Sequence, residues 1–329
     1  MTKLILALVF SFIFTVLIMK LVIKLTKKLA YSQTILQYVE EHKSKQGTPT
    51  MGGVAFFIAT FSLIFFFLDY NRNWFICLMV ALSFALLGGM DDFIKIKYKR
   101  NLGLTSMQKI IGQLGISIIF AFFIYYNIGT TLTIPFFNTS INARWVIIPI
   151  VILTCLATTN AVNLTDGLDG LAGSVSSIIL AITIAIFMLI LNSNQLLAKV
   201  MLTAGDLKSL TILLAVFLGS ILGFLVYNTN KASIFMGDVG SLGIGGMLSA
   251  VFCITGLELS LLVLGIMFVV SALSVILQVF WFKRTKKRIF KMAPLHHHFQ
   301  QSGFSEAKIV YAYSSITLIL GLLLILSYL

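Results

Sequence analysis

The chain has 329 residues, 59% of them hydrophobic and 11% charged, with a mean hydropathy of +1.01. Soluble domains carry roughly 25% charged residues, so the composition excludes an ordinary soluble fold and predicts an all-α polytopic integral membrane protein. The net charge of +13 is read as basic loops on one membrane face, not as nucleic-acid binding, because no soluble basic domain exists to do it.

One domain over residues 1–329 is expected, with about ten spans of roughly 20 residues each. The first, at residues 4–25, has its basic residues Lys20, Lys24, Lys27 and Lys28 after its apolar core, whereas a cleaved signal peptide has its charge before that core. It is therefore read as a retained span. A polar segment leads to Gly47-Thr48-Pro49-Thr50-Met51-Gly52-Gly53. Spans 2 and 3 follow at residues 54–68 and 74–90, the latter ending at Asp91-Asp92, with Lys95, Lys97, Lys99 and Arg100 beyond. Span 4 covers residues 109–126. Residues 127–144 are rich in β-branched side chains and predict a small surface hairpin.

Span 5, residues 145–162, leads into the most unusual stretch: Asn160, Asn163, Asp166, Gly167, Asp169 and Gly170 between two long apolar runs. Span 6 is placed at 171–191 and span 7 at 207–227, with a polar turn at 192–206. Asn228 and the run Phe235-Met236-Gly237-Asp238-Val239-Gly240-Ser241 precede span 8, at 242–257. Span 9 is placed at 259–282. A basic segment containing His296-His297-His298 precedes span 10, at 309–328. Cys77, Cys155 and Cys253 lie in apolar runs without paired spacing, so neither a disulfide framework nor a zinc site is indicated.

Ten spans with both termini outside put eighteen of the lysines and arginines in cytosolic loops and five outside. That is the asymmetry expected of a multi-pass protein of the plasma membrane. The same arrangement gathers the Lys45 loop, Asp91-Asp92, Asp166, Asp169, Asp238 and the histidines on the cytosolic face. A secondary transporter would place its polar groups near the midplane, often in repeated halves; no repeat is found.

Each cluster has a bland and a chemical reading. Adjacent Asp91 and Asp92 repel unless a cation intervenes, and Mg2+ with its preference for oxygen ligands would resolve that; ordinary ion pairs with Lys95 and Lys97 are the bland alternative. Asn163, Asp166 and Asp169 have a spacing that puts them on one face of a helix; helix-end capping is the alternative. Asp238 between glycines leaves room for a metal or phosphate, or simply caps span 8. Lys45, Thr48 and Thr50 combine a cation with hydroxyls, but not in the order of a Walker loop. Consecutive histidines point in different directions, so one metal would not take all three. Together the clusters suggest a Mg2+-dependent enzyme that handles a phosphorylated cytosolic substrate and a lipid-phase partner.

These motifs, in this order from about residue 45 to 299, resemble the phospho-N-acetylmuramoyl-pentapeptide-transferase family (translocase I) of the polyprenyl-phosphate sugar-1-phosphate transferase superfamily. The resemblance implies transfer of phospho-N-acetylmuramoyl-pentapeptide from its UDP conjugate to undecaprenyl phosphate. The products would be lipid I and UMP, in the peptidoglycan synthesis of a bacterial cell membrane. It implies Mg2+, with Asp238 as principal ligand. Asp91 and Asp92 would lie near the lipid phosphate, one of them a candidate base or nucleophile, so that a covalent phospho-sugar intermediate and direct attack by the lipid phosphate both stay open. His297 would be the essential member of its trio. Asn163, Asp166 and Asp169 would line the nucleotide pocket. Phe235 would stack on uracil with Asn228 and Lys45 nearby, and Thr50, Lys95, Lys109, His296 and His298 would complete the substrate contacts. A close alternative is a transferase using UDP-N-acetylglucosamine; the histidine segment favours the muramoyl substrate. The partners expected are these two substrates and the bilayer, with a homodimer allowed.

Overall fold

The computed structural model describes residues 1–28, 47–98, 102–137 and 139–329. In a bilayer every backbone polar group must be satisfied internally, so long apolar runs become helices. Among the described residues, nine helices are long and apolar enough to cross a membrane. In chain order the first elements are α1 (Thr2–Lys28), α2 (Gly53–Phe67), α3 (Arg72–Lys97) and α4 (Ser106–Asn127). The hairpin β1 (Thr131–Ile134) and β2 (Thr139–Asn142) follows, then α5 (Ile147–Thr165), α6 (Leu171–Leu191), the short α7 (Asn194–Leu197) and α8 (Ala204–Asn228). The chain ends with α9 (Gly237–Thr255), α10 (Glu258–Leu264), α11 (Ile266–Thr285), α12 (Leu295–Gln300) and α13 (Glu306–Leu326). The hairpin forms where it was predicted, with Thr131 opposite Asn142 and Ile134 opposite Thr139.

The second span, α2, lies within one residue of its predicted place and has only 15 residues, about 22 Å at 1.5 Å per residue against a hydrocarbon core of about 30 Å. Its start is held from outside the helix, where Gly52 N donates to Phe235 O (2.8 Å) and Gly53 N to Met236 O (2.9 Å). Three other expectations change. α3 does not stop at Met90 but runs through Asp91 and Asp92 to Lys97, because Lys95 sits one turn on and pairs with both acids. α9 begins at Gly237, five residues before the predicted span, so Asp238 lies in its first turn. The ninth predicted span is broken at Gly265 into α10 and α11.

Helix α9 is the axis of the bundle; every residue from Val239 to Thr255 is buried. Without a hydrophobic drive between helices in lipid, close packing depends on small side chains. Gly240 backs onto Gly53 of α2, Gly245 onto the backbone of Thr159 in α5, and Gly246 onto Ala81 and Phe84 in α3. α1 packs along α8 in the same direction: Gly219 meets Leu8, Gly223 meets Phe12 and Thr15, and Tyr227 Oη donates to Val16 O (3.1 Å).

The C-terminal ends of α3, α5 and α8 meet the N-terminal ends of α4 and α9 at one end of the bundle. The hairpin, the capping box of Thr203 and Asp206, and the Ser260–Tyr328 hydrogen bond (2.9 Å) lie at the other. α1 starts and α13 finishes away from the first end.

Candidate active site

Asp238 stands in the first turn of α9, where the positive end of the helix dipole favours a carboxylate. Gly88 lets α3 pass directly against this point: a Cβ there would run into the Asp238 carbonyl. That close approach brings Asp91 and Asp92, one turn later on α3, beside Asp238. Ligand oxygens of the three acids lie within 4.8 Å of one another. Asp91 is fully buried and Asp92 nearly so.

Two lysines hold the acids together. Lys95 Nζ lies 2.6 Å from Asp91 Oδ2, 3.1 Å from Asp238 Oδ2 and 3.8 Å from Asp92 Oδ1. Lys109 Nζ, from α4, lies 2.6 Å from Asp238 Oδ2 and 3.0 Å from Asp91 Oδ2. The backbone adds further donors: Leu104 N to Asp91 Oδ1 (2.7 Å) and Val239 N to Asp92 Oδ2 (3.1 Å). Three carboxylates against two ammonium groups leave excess negative charge on an all-oxygen donor set. That is the chemistry a hard divalent cation requires.

Asn163, in the last turn of α5, donates through Nδ2 to Asp238 Oδ1 (3.0 Å) and to Ser241 Oγ (2.9 Å). The predicted helical face of Asn163, Asp166 and Asp169 does not form. α5 ends at Thr165, Asp166 is its C-cap at φ −77° and ψ 53°, and the chain turns until Gly170 at φ 76° opens α6. Burial, then the charges of Asp238, Asp92 and Asp169, push the Asp166 carboxyl up to about 8. Asp169 faces another way and accepts from Ala232 N (3.0 Å). Asn228 accepts from Gly170 N (3.1 Å) and donates to Ile234 O (2.9 Å). Asp169 and Asn228 thus fasten the turn to the 228–235 segment.

That segment also pairs with the glycine-rich turn, since Phe235 N donates to Pro49 O (2.8 Å). Buried Thr50 and half-buried Phe235 therefore border the acid cluster, with Thr50 Oγ1 close to Gly237. Lys45 lies outside the described residues. The three histidines do not all point in different directions: the rings of His296 and His297 lie 4.4 Å apart, and only His298 diverges. The Nε2 atoms of His296 and His297 both close on Gly167, where no Cβ would fit. His296 is fully buried, and burial followed by the neighbouring His297 pushes its ring down to about 3. His297 Nδ1 lies 3.0 Å from Gln300 Oε1. His298 turns away, accepting from Lys291 N (3.1 Å) and packing on Phe290.

The structure thus joins Asp91, Asp92, Asp238, Lys95, Lys109 and Asn163 in one cluster. Asp166, Asp169, Asn228, His296 and His297 form an adjoining ring around the 166–170 turn. Sequence reasoning missed Ser241, which shares the Asn163 amide, although it stood within the Asp238 motif. It also missed Glu306, whose carboxylate accepts from Asp169 N (3.4 Å) and Gln300 Nε2 (3.3 Å). No signal short of the fold marks that residue.

A multi-pass helical membrane protein with buried, cation-bridged carboxylates at one end defines a membrane enzyme of phosphate chemistry. The model of glycosyl transferase family 4 matches residues 74–257, and signature 1 of the phospho-N-acetylmuramoyl-pentapeptide-transferases matches residues 45–57. The phospho-N-acetylmuramoyl-pentapeptide-transferase of Caldanaerobacter subterraneus subsp. tengcongensis is 46% identical over 279 residues, covering 84% of this chain and 83% of its own length. Those of Clostridium botulinum (strain Eklund 17B) and Bacillus subtilis are 44% and 40% identical, over 85% and 86% of this chain and 82% and 85% of their own. The chain belongs to the phospho-N-acetylmuramoyl-pentapeptide-transferase family and is a phosphoglycosyl transferase of the membrane.

Proposed function

We propose that the chain transfers phospho-N-acetylmuramoyl-pentapeptide from its UDP conjugate to undecaprenyl phosphate, giving lipid I and UMP for peptidoglycan synthesis. The observation that carries this reading is the cluster of Asp91, Asp92 and Asp238 bridged by Lys95 and Lys109 at the membrane edge. That end faces the cytosol of a bacterial cell, and both termini lie outside; the lysine and arginine asymmetry supports this orientation. The homodimer expectation gains no support from the described residues.

Asp238, with Asp91 and Asp92 beside it, would hold Mg2+. Bound there, the ion supplies neutralisation of phosphate charge, on which phosphoryl transfer chiefly depends. Lys95 and Lys109 add their own charge to the phosphate oxygens. Asn163 orients Asp238. Phe235 stacks on the uracil with Asn228 nearby, Thr50 faces the phosphates beside Gly237, and Asp166 and Asp169 shape the nucleotide pocket. His297 makes polar contacts to the donor, His296, fully buried, packs behind it, and His298 stands further out.

An oxygen of the lipid phosphate attacks the β-phosphorus of the nucleotide. The bond from that phosphorus to the bridging oxygen breaks, and UMP leaves with the electron pair. Both Asp91 oxygens and Asp92 Oδ2 are already engaged by lysines or backbone N–H groups. With both of its oxygens engaged, Asp91 has none free to act as a nucleophile, which favours direct attack by the lipid phosphate. Trapping a labelled phospho-sugar on Asp91 or Asp92 would overturn direct attack.

The test is UMP release by the purified protein with undecaprenyl phosphate and Mg2+. Release is expected from the UDP-N-acetylmuramoyl-pentapeptide and not from UDP-N-acetylglucosamine, and chelation should stop it. No release from the muramoyl donor, or faster release from the N-acetylglucosamine donor, overturns the proposal.

A further inference from the structure

We propose that Gln113 and Asn160 form a positioning pair that sets Lys109 and Asn163 on opposite oxygens of Asp238; the inference rests on the transferase reading. Gln113 lies on α4 four residues after Lys109, and Asn160 lies on α5 three residues before Asn163, so each shares a helix face with its active-site neighbour. The two amides exchange hydrogen bonds. Gln113 Nε2 donates to Asn160 Oδ1 (3.3 Å) and Asn160 Nδ2 donates to Gln113 Oε1 (2.8 Å). One turn away, Lys109 Nζ reaches Asp238 Oδ2 (2.6 Å) and Asn163 Nδ2 reaches Asp238 Oδ1 (3.0 Å).

The pair matters because the start of α4 has no buried side chain of its own. From Ser106 to Gly112 no residue of the helix is buried; Gln113, fully buried, is the first. The other ties at this end are Leu104 N to Asp91 Oδ1 (2.7 Å), the ion pairs of the long and flexible Lys109 side chain with Asp91 and Asp238, and the close approaches of Gly103 to Asp91 and Gly112 to Leu87. Apolar contacts between helices in lipid tolerate sliding and rotation. A reciprocal amide pair does not, because each donor needs its own acceptor. Asn160 is anchored in turn by its bond to Leu156 O (2.8 Å). Register set at Gln113–Asn160 is therefore passed along both helices to the two groups that grip Asp238. Neither residue touches Asp238.

The test compares Gln113→Leu, which keeps bulk but removes the amide, with the swapped pair Gln113→Asn plus Asn160→Gln. In Gln113→Leu, kcat for UMP release per folded molecule is expected to fall about tenfold or more, with KM for the nucleotide donor within about twofold. The swap should restore kcat to within about threefold of the parent chain, as a mere loss of packing would not. Hydrogen exchange of residues 102–112 gives a readout that needs no turnover: it should quicken in Gln113→Leu and recover in the swap. Unchanged kcat per folded molecule, unchanged exchange, or a swap no better than the single loss overturns the proposal. A parent chain that releases no UMP would fail the transferase reading instead, while the exchange result still decides the pair.

Discussion

The two ends of the bundle both carry acids, and they treat them differently. At the end away from the site, Asp206 accepts from Asn71 Nδ2 (2.8 Å) and closes the capping box with Thr203, so it finishes a helix start. Glu258, 5% exposed at the first turn of α10, has no hydrogen-bond partner for either oxygen among the described residues. Among the described residues, nothing at that end draws acids from separate helices together. At the site end, Asp91 and Asp92 of α3 meet Asp238 of α9 and share Lys95 and Lys109. Burying like charges side by side costs stability unless cations compensate, and here two cations serve three acids. The convergence of that excess charge, more than the burial of an acid, marks the functional end.

The hardest test of this contrast is Asp238→Ala. It removes the residue that both lysines and Asn163 address, so UMP release should fall on the order of 100–1000-fold. Circular dichroism and gel filtration should still show a folded protein. Near-normal turnover in that variant would break the assignment of the cluster to chemistry.

A second comparison lies within the histidine segment. His297→Ala should cut turnover by roughly 10–100-fold, the scale typical of a positioned polar or acid–base group. His298→Ala should leave it within about threefold, since that ring is committed to Lys291 N and Phe290. Equal losses in the two variants would mean that the segment acts as a surface patch and not through the face turned to Gly167.

pH sharpens the contrast further. The Asp166 carboxyl sits near 8 in the folded chain against an ordinary 3.8. The folded state thus holds a proton that the unfolded state has lost, and stability should fall as pH rises from about 4 to about 8. His296 works in the opposite sense. Its ring is neutral down to about 3 in the folded chain against an ordinary 6.5. The unfolded state binds the extra proton between those values, so stability should fall as pH drops through them. Thermal melting with chelator present should fall away on both flanks of a mildly acid maximum. Asp166→Asn should flatten the alkaline flank and His296→Gln the acid one. Flanks unmoved by these variants would remove both groups from the account.

The spans were legible because hydrophobic length is a local property: α6 begins and ends on the predicted residues, 171 and 191. Helix ends were not, because distant partners set them. Nothing near Asp91 in the chain announces Asp238, yet Lys95, which pairs with both, lies on the turn that carries α3 on to Lys97, while Lys109 reaches them from α4. The turn at Asp166 was mistaken for a helical face, since periodicity does not reveal that the Gly170 N–H is held by Asn228, 58 residues away. The types of the site residues were readable from their cost in a membrane. Their grouping required Gly88 and Gly240, whose missing side chains let helices approach in a way that residue type alone does not display.

The smallest expected effect belongs to Glu258. Glu258→Gln keeps the shape and removes the titratable oxygen, but adds amide hydrogens that also need partners, so gains and losses nearly cancel. The melting temperature should stay within about 2–4 °C, the shift expected of roughly 1 kcal/mol in a chain of this size. Turnover should stay within about twofold, because no chain of polar contacts links Glu258 to Asp238 among the described residues and mutational effects at separated sites are close to independent. The variant is informative because Glu258 is nearly as buried as Asp92. If buried acids mattered to this enzyme by burial alone, the two would behave alike. A tenfold loss of turnover in folded Glu258→Gln would show that the far end is coupled to the site, and convergence of charge would no longer distinguish them.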